Sequence, residues 1–246
     1  MQHQFSRTEL LIGEEGLRKL NCSKVSIFGL GGVGSYTAEA LARAGIGKLK
    51  LIDFDEICLT NINRQLHALR STVGQAKVDV MKERLLDINP QLEIEVFKTF
   101  YTSEEAELFL SNHPDYVVDA IDTVKSKVSL AKECVDRKIS FISCMGAGNR
   151  LEALSFRVAD ISKTTGCPLA KAVRKLLKQE GITHGFKVVF SPELPLKPFI
   201  GEMNSATKKR RIPGSISYVP SVAGLLMAGE VIKDILKIKD KMDGKG

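Results

Sequence analysis

The chain has 246 residues, 43% of them hydrophobic and 26% charged, with 36 Lys/Arg against 29 Asp/Glu for a net charge of +7. Those proportions suit a soluble globular protein able to bury a substantial core. No run reaches the ~18 uncharged apolar residues of a membrane span, and the opening "MQHQFSRTELLIGEEG" lacks the apolar core of a signal peptide, so no membrane partner and a cytoplasmic address are expected.

In chain order, Thr8–Leu20 reads as an amphipathic helix with Leu10, Leu11, Leu17 and Leu20 as its apolar positions. Strands are predicted at 24–28, 48–52, 92–97, 116–120 and 140–144, with helices at about 33–44, 75–87, 103–111 and 123–137. Alternating strands and helices predict an α/β fold with a doubly wound, mostly parallel sheet covered on both faces. After Gly148 the rhythm changes: "ALSFRVAD" and "FKVVFSPE" read as further strands around a basic helix, "CPLAKAVRKLLKQEG". A proline-bearing loop follows, and the last element, about 217–239, reads as a helix packed on the sheet, interrupted by Glu230, Lys233 and Asp234. The expected division is a core of strand–helix units at 1–150 and, at 151–246, an extension of the same domain.

Charge follows that division. Residues 1–150 carry 19 Lys/Arg against 20 Asp/Glu, and residues 151–246 carry 17 against 9. A basic second part is either a polyanion surface or a solvated face. Two clusters carry the excess: Lys171, Arg174, Lys175 and Lys178 at helical spacing, and Lys208, Lys209, Arg210 and Arg211 before Pro213.

The chemistry concentrates in "KVSIFGLGGVGS", where a strand meets Gly29, Gly31 and Gly34 in G-x-G-x-x-G spacing, with an extra Gly32. Such a turn brings backbone N–H groups and a helix N-terminus to a phosphate, of a redox dinucleotide or of ATP alike. Asp53, nineteen residues after Gly34, is placed to accept hydrogen bonds from ribose hydroxyls. Asp55 reads equally as a polar residue in a strand-to-loop turn. Asn61, Arg64 and Gln65 follow the second strand, Lys77 lies near a helix start, and Asp122 and Thr123 lie beyond the fourth strand. All fall at one edge of a parallel sheet. A redox enzyme needs only a cradle for pyrophosphate, whereas cleaving ATP also demands Arg, Lys and a metal-holding carboxylate.

"GLGGVG", "DFD", "TNINRQ", "GQAKV" and "DAIDT", in this order and spacing, resemble the E1-like activating enzymes, a Rossmann-like group that adenylates carboxylates. The resemblance implies that Gly32 lies against the nucleotide and that Asp53 binds the ribose. It implies phosphate contacts from Asn61, Arg64 and Lys77, and Mg²⁺ on Asp122. It also implies that Arg7 crosses a homodimer interface to the neighbour's ATP, although Arg7 reads equally as an exposed charge before a helix. "SCMGAGNRLE", "CPLAKAVRKLLK", "KVVFSPE" and "PGSISYVPSVAGLLMAGEVI" resemble the tRNA-modifying branch of that group. The implied substrate is then tRNA carrying threonylcarbamoyladenosine at position 37, cyclised through its threonyl carboxylate at the expense of ATP. A sulfur-relay protein is a further partner to weigh.

Three other readings stand beside it: an activator of a small protein's C-terminal glycine, a nicotinamide-dependent dehydrogenase, and a nucleotide-binding module without activity. Arg64 and Lys77 argue against the dehydrogenase, and the filled phosphate-handling positions argue against the inactive module. Members that load sulfur carriers often hold zinc between C-x-x-C pairs, and none of Cys22, Cys58, Cys134, Cys144 and Cys167 forms one. Cys167, before Pro168 at a helix start, is the thiol best placed for chemistry. Internal cyclisation does not require it, however. Cys144 reads as core, and His67 as a loop residue rather than a general base.

Overall fold

Among the described residues the apolar strands form one seven-stranded sheet. In this computed structural model, which describes residues 2–197 and 213–238, the strands are β1 Lys24–Phe28, β2 Lys48–Ile52, β3 Glu93–Phe97, β4 Tyr116–Asp119, β5 Ser140–Cys144, β6 Arg157–Asp160 and β7 Lys187–Phe190. The helices are α1 Ser6–Cys22, α2 Gly34–Ala44, α3 Lys77–Ile88, α4 Ala106–Leu110, α5 Val124–Asp136, α6 Pro168–Gln179 and α7 Tyr218–Leu236. Their order is β3-β2-β1-β4-β5-β7-β6; pairing is parallel from β3 through β7, and among the described strands only β6 runs antiparallel, against β7.

The period-2 alternation of a strand sends neighbours to opposite faces. Val25, Ile27, Leu49, Leu51 and Val118 join Leu41, Val219, Ala223 and Met227 of α2 and α7 on one face. Phe28, Ile52 and Val117 join Leu130, Val173 and Leu177 of α5 and α6 on the other. No helix among the described residues is long and apolar enough to cross a membrane.

The chain leaves β1 toward β2 and β3, then returns to β4 on the other side of β1. That reversal opens a crevice at the carboxyl ends of β1 and β4, where sheets of this type take ligands. The glycine turn sits there. Gly29 has φ +90°, and a Cβ on it would lie 2.7 Å from the Ala120 carbonyl oxygen. A Cβ on Gly34 would lie 1.8 Å from the Gly29 carbonyl oxygen. These two glycines let β1 turn directly into α2.

Two expectations are corrected. Gly13, with φ 73° and ψ 170°, breaks α1 into two helical pieces. Leu10 and Leu11 consequently stand 82% and 87% exposed, and Leu20 alone among α1 residues is buried. β3 lies at a sheet edge, with Glu93 and Glu95 facing Lys48 and Lys50 at 2.7 and 3.7 Å, so it is less buried than its central neighbours.

Candidate active site

A cavity of about 550 Å³ opens at the carboxyl edge of the sheet. Gly29, Gly31 and Gly32 line it, whereas Gly34 lies behind the turn. Gly32 fits closely: a Cβ there would come within 3.1 Å of Pro220 and 3.2 Å of the Arg64 carbonyl oxygen.

Asp53 follows β2 and is buried. Its Oδ2 accepts the Leu30 N–H at 2.5 Å and its Oδ1 the Asp55 N–H at 2.9 Å, so the carboxylate fixes both the glycine turn and its own loop. Burial holds this carboxyl above its ordinary value, against the opposing pull of the Lys77 ammonium and the two N–H groups. Lys77 is the first residue of α3 and only 4% exposed. Its Nζ lies 2.6 Å from Asp55 and 4.0 Å from Asp53. Asp55 is therefore the anchor of the lysine as well as a loop residue.

Arg64 lines the same cavity, its Nη1 donating to the Thr60 carbonyl at 2.8 Å and to Asn63 Oδ1 at 2.9 Å. Asn61 accepts the Cys58 N–H at 3.0 Å, which pins the turn that delivers Arg64. Gln65 is buried on the cavity wall with no hydrogen-bond partner for its Oε1 among the described residues, leaving an acceptor for a ligand donor. Asp122 is exposed on the rim, and the Thr123 hydroxyl donates to it at 3.4 Å without itself lining the cavity. Arg7 is exposed on the first turn of α1 and does not line its own chain's cavity.

The cavity continues past β5, a half that no sequence motif assembles. Residues 144–150, the start of α6 at Cys167–Leu169, and 213–215 form its walls. Asn149, at φ 57°, clasps that cover: its N–H donates to the Gly214 carbonyl at 2.8 Å, its Oδ1 accepts the Gly214 N–H at 2.6 Å, and its carbonyl accepts the Leu196 N–H at 2.8 Å. Asn63 adds a bond to the Ser215 carbonyl at 2.9 Å. Beneath the floor, fully buried Lys127 donates to Asp119 at 2.7 Å, to the Ser143 hydroxyl at 3.1 Å and to the Cys144 carbonyl at 2.9 Å. The second Asp119 oxygen accepts the Ile121 N–H at 3.0 Å, one residue before Asp122.

Of the basic helix, Lys171, Lys175 and Lys178 are exposed. Arg174 is engaged instead with the carbonyl and hydroxyl of Thr164 and half-buried, so that cationic face is narrower than its spacing implies. Lys208, Lys209, Arg210 and Arg211 lie outside the described residues.

All five cysteines are free thiols. Cys167, at the N-cap of α6, and Cys144 are buried on the cavity wall, and burial pushes the Cys144 thiol up to about 12. His67 is a buried loop residue, and neither ring nitrogen has a hydrogen-bond partner among the described residues. Burial first, then the Lys77 and Arg84 charges, lowers its pKa to about 4. A folded value below the unfolded 6.5 means that the unfolded chain binds the extra proton between those pH values. Stability from this group is present above about pH 6.5 and is lost as pH falls toward about 4, a change of up to about 3 kcal/mol. Urea unfolding at pH 7 and pH 4.5 should show a smaller pH loss in His67→Asn than in the parental protein. Equal losses would refute this.

A glycine turn sharing one cavity with a buried lysine, an arginine and a rim aspartate defines an ATP-handling α/β protein of the activating-enzyme class. Residues 5–245 match the model of the ThiF family, and the chain belongs to that family. It is 50% identical to tRNA threonylcarbamoyladenosine dehydratase of Bacillus subtilis (strain 168), over 98% of this chain and 100% of that one. It is 40% identical to the protein of the same name from Escherichia coli (strain K12), over 80% of this chain and 76% of that one. The crystal structure of E. coli tRNA N6-threonylcarbamoyladenosine dehydratase, TcdA, in complex with ATP superposes with a TM-score of 0.86 at 36% identity, covering 95% of this chain and 94% of that one.

Proposed function

We propose that this enzyme adenylates the threonyl carboxylate of threonylcarbamoyladenosine at position 37 of tRNA and closes it to the cyclic form, releasing AMP and pyrophosphate. One observation carries the reading: Lys77, Arg64 and Asp122 share the cavity of the glycine turn, and that cavity extends past β5 to admit a second substrate. Full-length similarity to the dehydratases supports the choice of that substrate.

A carboxylate oxygen attacks the α-phosphorus of ATP, the bond to the bridging oxygen breaks, and pyrophosphate leaves. Lys77, Arg64 and Asn61 hold the phosphates. Asp122 would hold Mg²⁺, since one exposed carboxylate beside phosphates suits an ion that keeps several waters. When bound, the ion neutralises phosphate charge. A ring-closing atom of the same side chain then attacks the acyl carbon, loses its proton to solvent and expels AMP, which keeps the carboxylate oxygen. Attacker and target share one molecule, so orientation supplies much of the rate and Cys167 is not required as a nucleophile. The Asn149-clasped cover protects the adenylate from water. The reaction moves no sulfur, so a sulfur-relay protein has no atom to supply.

Residues 1–150 form the adenylation core in this reading, and 151–246 the extension that receives tRNA. Lys171, Lys175 and Lys178, with the 208–211 cluster, meet RNA phosphates, so affinity falls with salt. A homodimer brings Arg7 to the neighbour's ATP, and Leu10 and Leu11 beside it offer an apolar surface for a second copy to cover. A tRNA substrate implies the cytoplasm.

ATP–pyrophosphate exchange decides between partners. Threonylcarbamoyl-modified tRNA should stimulate it, and neither unmodified tRNA nor a sulfur-carrier protein should. Stimulation by the carrier alone would move the assignment to protein activation.

A further inference from the structure

We propose that Arg150 binds the carboxylate that is to be adenylated, an inference that rests on the function above. Arg150 lines the second half of the cavity and is 3% exposed. Its Nε donates to the Gly146 carbonyl at 2.8 Å, and its Nη1 to the Glu193 carbonyl. Both partners are neutral. Among the described residues no carboxylate lies within 4 Å of it. The Glu193 carboxylate is occupied by the N–H groups of Leu151 and Glu152 at 3.1 and 3.2 Å.

A buried cation without an anion is costly, and such charges are ordinarily paired. A guanidinium has five donors in a fixed fork, and here two carbonyls orient it while donors remain. A planar carboxylate, like a phosphate, is a group that this fork matches bidentately.

The position suits the acceptor rather than ATP. Among the described residues the other two cations that line the cavity are engaged on its nucleotide side, Lys77 with Asp55 and Arg64 with Thr60 and Asn63. Arg150 is tied instead to Gly146, whose would-be Cβ would lie 3.6 Å from Cys167 Sγ and 3.7 Å from Leu169 Cβ at the start of α6. That helix is 12 residues long and has no side-chain cap, so its first turn adds positive potential to the same wall. The carboxylate must be ionised to attack phosphorus, and Arg150 keeps it so and fixes its direction. Once the C–O–P bond has formed and pyrophosphate has gone, the acyl group is neutral. The ion pair is then lost, which frees the acyl carbon for ring closure.

The test is a cycle in which the residue and the carboxylate are each altered. Binding of threonylcarbamoyl-tRNA, its threonyl methyl ester and unmodified tRNA is measured by competition for the parental enzyme and for Arg150→Gln. Binding of ATP alone reports that each protein is folded. The parental enzyme should prefer the free carboxylate over the ester by about 10- to 100-fold, as for hydrogen bonds to a charged group. Arg150→Gln should bind ATP and unmodified tRNA as before and lose that preference. An unchanged preference in Arg150→Gln overturns the inference. If Arg150→Gln no longer binds ATP, Arg150→Lys decides, because its single ammonium should retain only part of the preference; full retention refutes the bidentate role. A parental enzyme that treats modified and unmodified tRNA alike refutes the proposed substrate instead.

Discussion

Lys77→Met is expected to lower ATP–pyrophosphate exchange by about 10³-fold, the upper end of the loss when one preorganised charge-stabilising donor is removed. The magnitude follows from where the ammonium sits. It is the first residue of α3, buried, and directed by Asp55 at 2.6 Å and Asp53 at 4.0 Å, so it spends no entropy on finding the departing pyrophosphate. Because the ammonium is buried, its field is far less screened than at the surface. The substitution also removes the positive charge that holds down the Asp53 carboxyl, already raised by burial, so that group should titrate still higher in the variant. Exchange kinetics with modified tRNA, beside binding of ATP alone, measure the effect. Exchange within about tenfold of parental would show that Lys77 is a structural partner of Asp55 and nothing more.

What the sequence makes legible is local. A strand ending in glycines predicts the turn, because Gly29 and Gly34 are needed where a Cβ would strike backbone. Lys77 is legible because it opens a helix and Asp122 because it lies just past the end of β4, whereas Arg64, well beyond β2, is legible only through the "TNINRQ" motif. The second half of the cavity is not. Residues 144–150, 167–169 and 213–215 come from three separate segments, and they meet because β7 inserts between β5 and β6 although β6 precedes it in the chain. No periodicity encodes that. α1 misleads for the opposite reason: its leucines keep helical spacing, but Gly13 turns the backbone, and the pattern no longer describes one face. Arg174 looks like its exposed neighbours until Thr164 is placed beside it. Nothing in "DTVKSK" sets Lys127 apart from Lys125, yet Lys127 is fully buried.

That lysine carries the second large expectation. Lys127→Met should destabilise the fold by about 3–5 kcal/mol, because it leaves Asp119 buried and without its cation. For a chain of this size the midpoint of thermal unfolding should fall by roughly 10 °C. The pair Lys127→Met with Asp119→Leu should cost less than the sum of the single changes, since the second substitution removes the charge that the first one strands. Stability is not the whole effect. Asp119 ties Lys127 and the Ser143 hydroxyl (2.6 Å) to the Ile121 N–H, and so fixes the turn that presents Asp122 to the cavity. The double variant should therefore regain part of its unfolding midpoint while pyrophosphate exchange stays low, because no side chain then holds the Ile121 N–H. Calorimetry and exchange on the same three proteins separate the two roles. Strict additivity of the unfolding free energies would mean that the two residues act independently, and exchange that recovers with stability would mean that the network supports the floor without aiming Asp122.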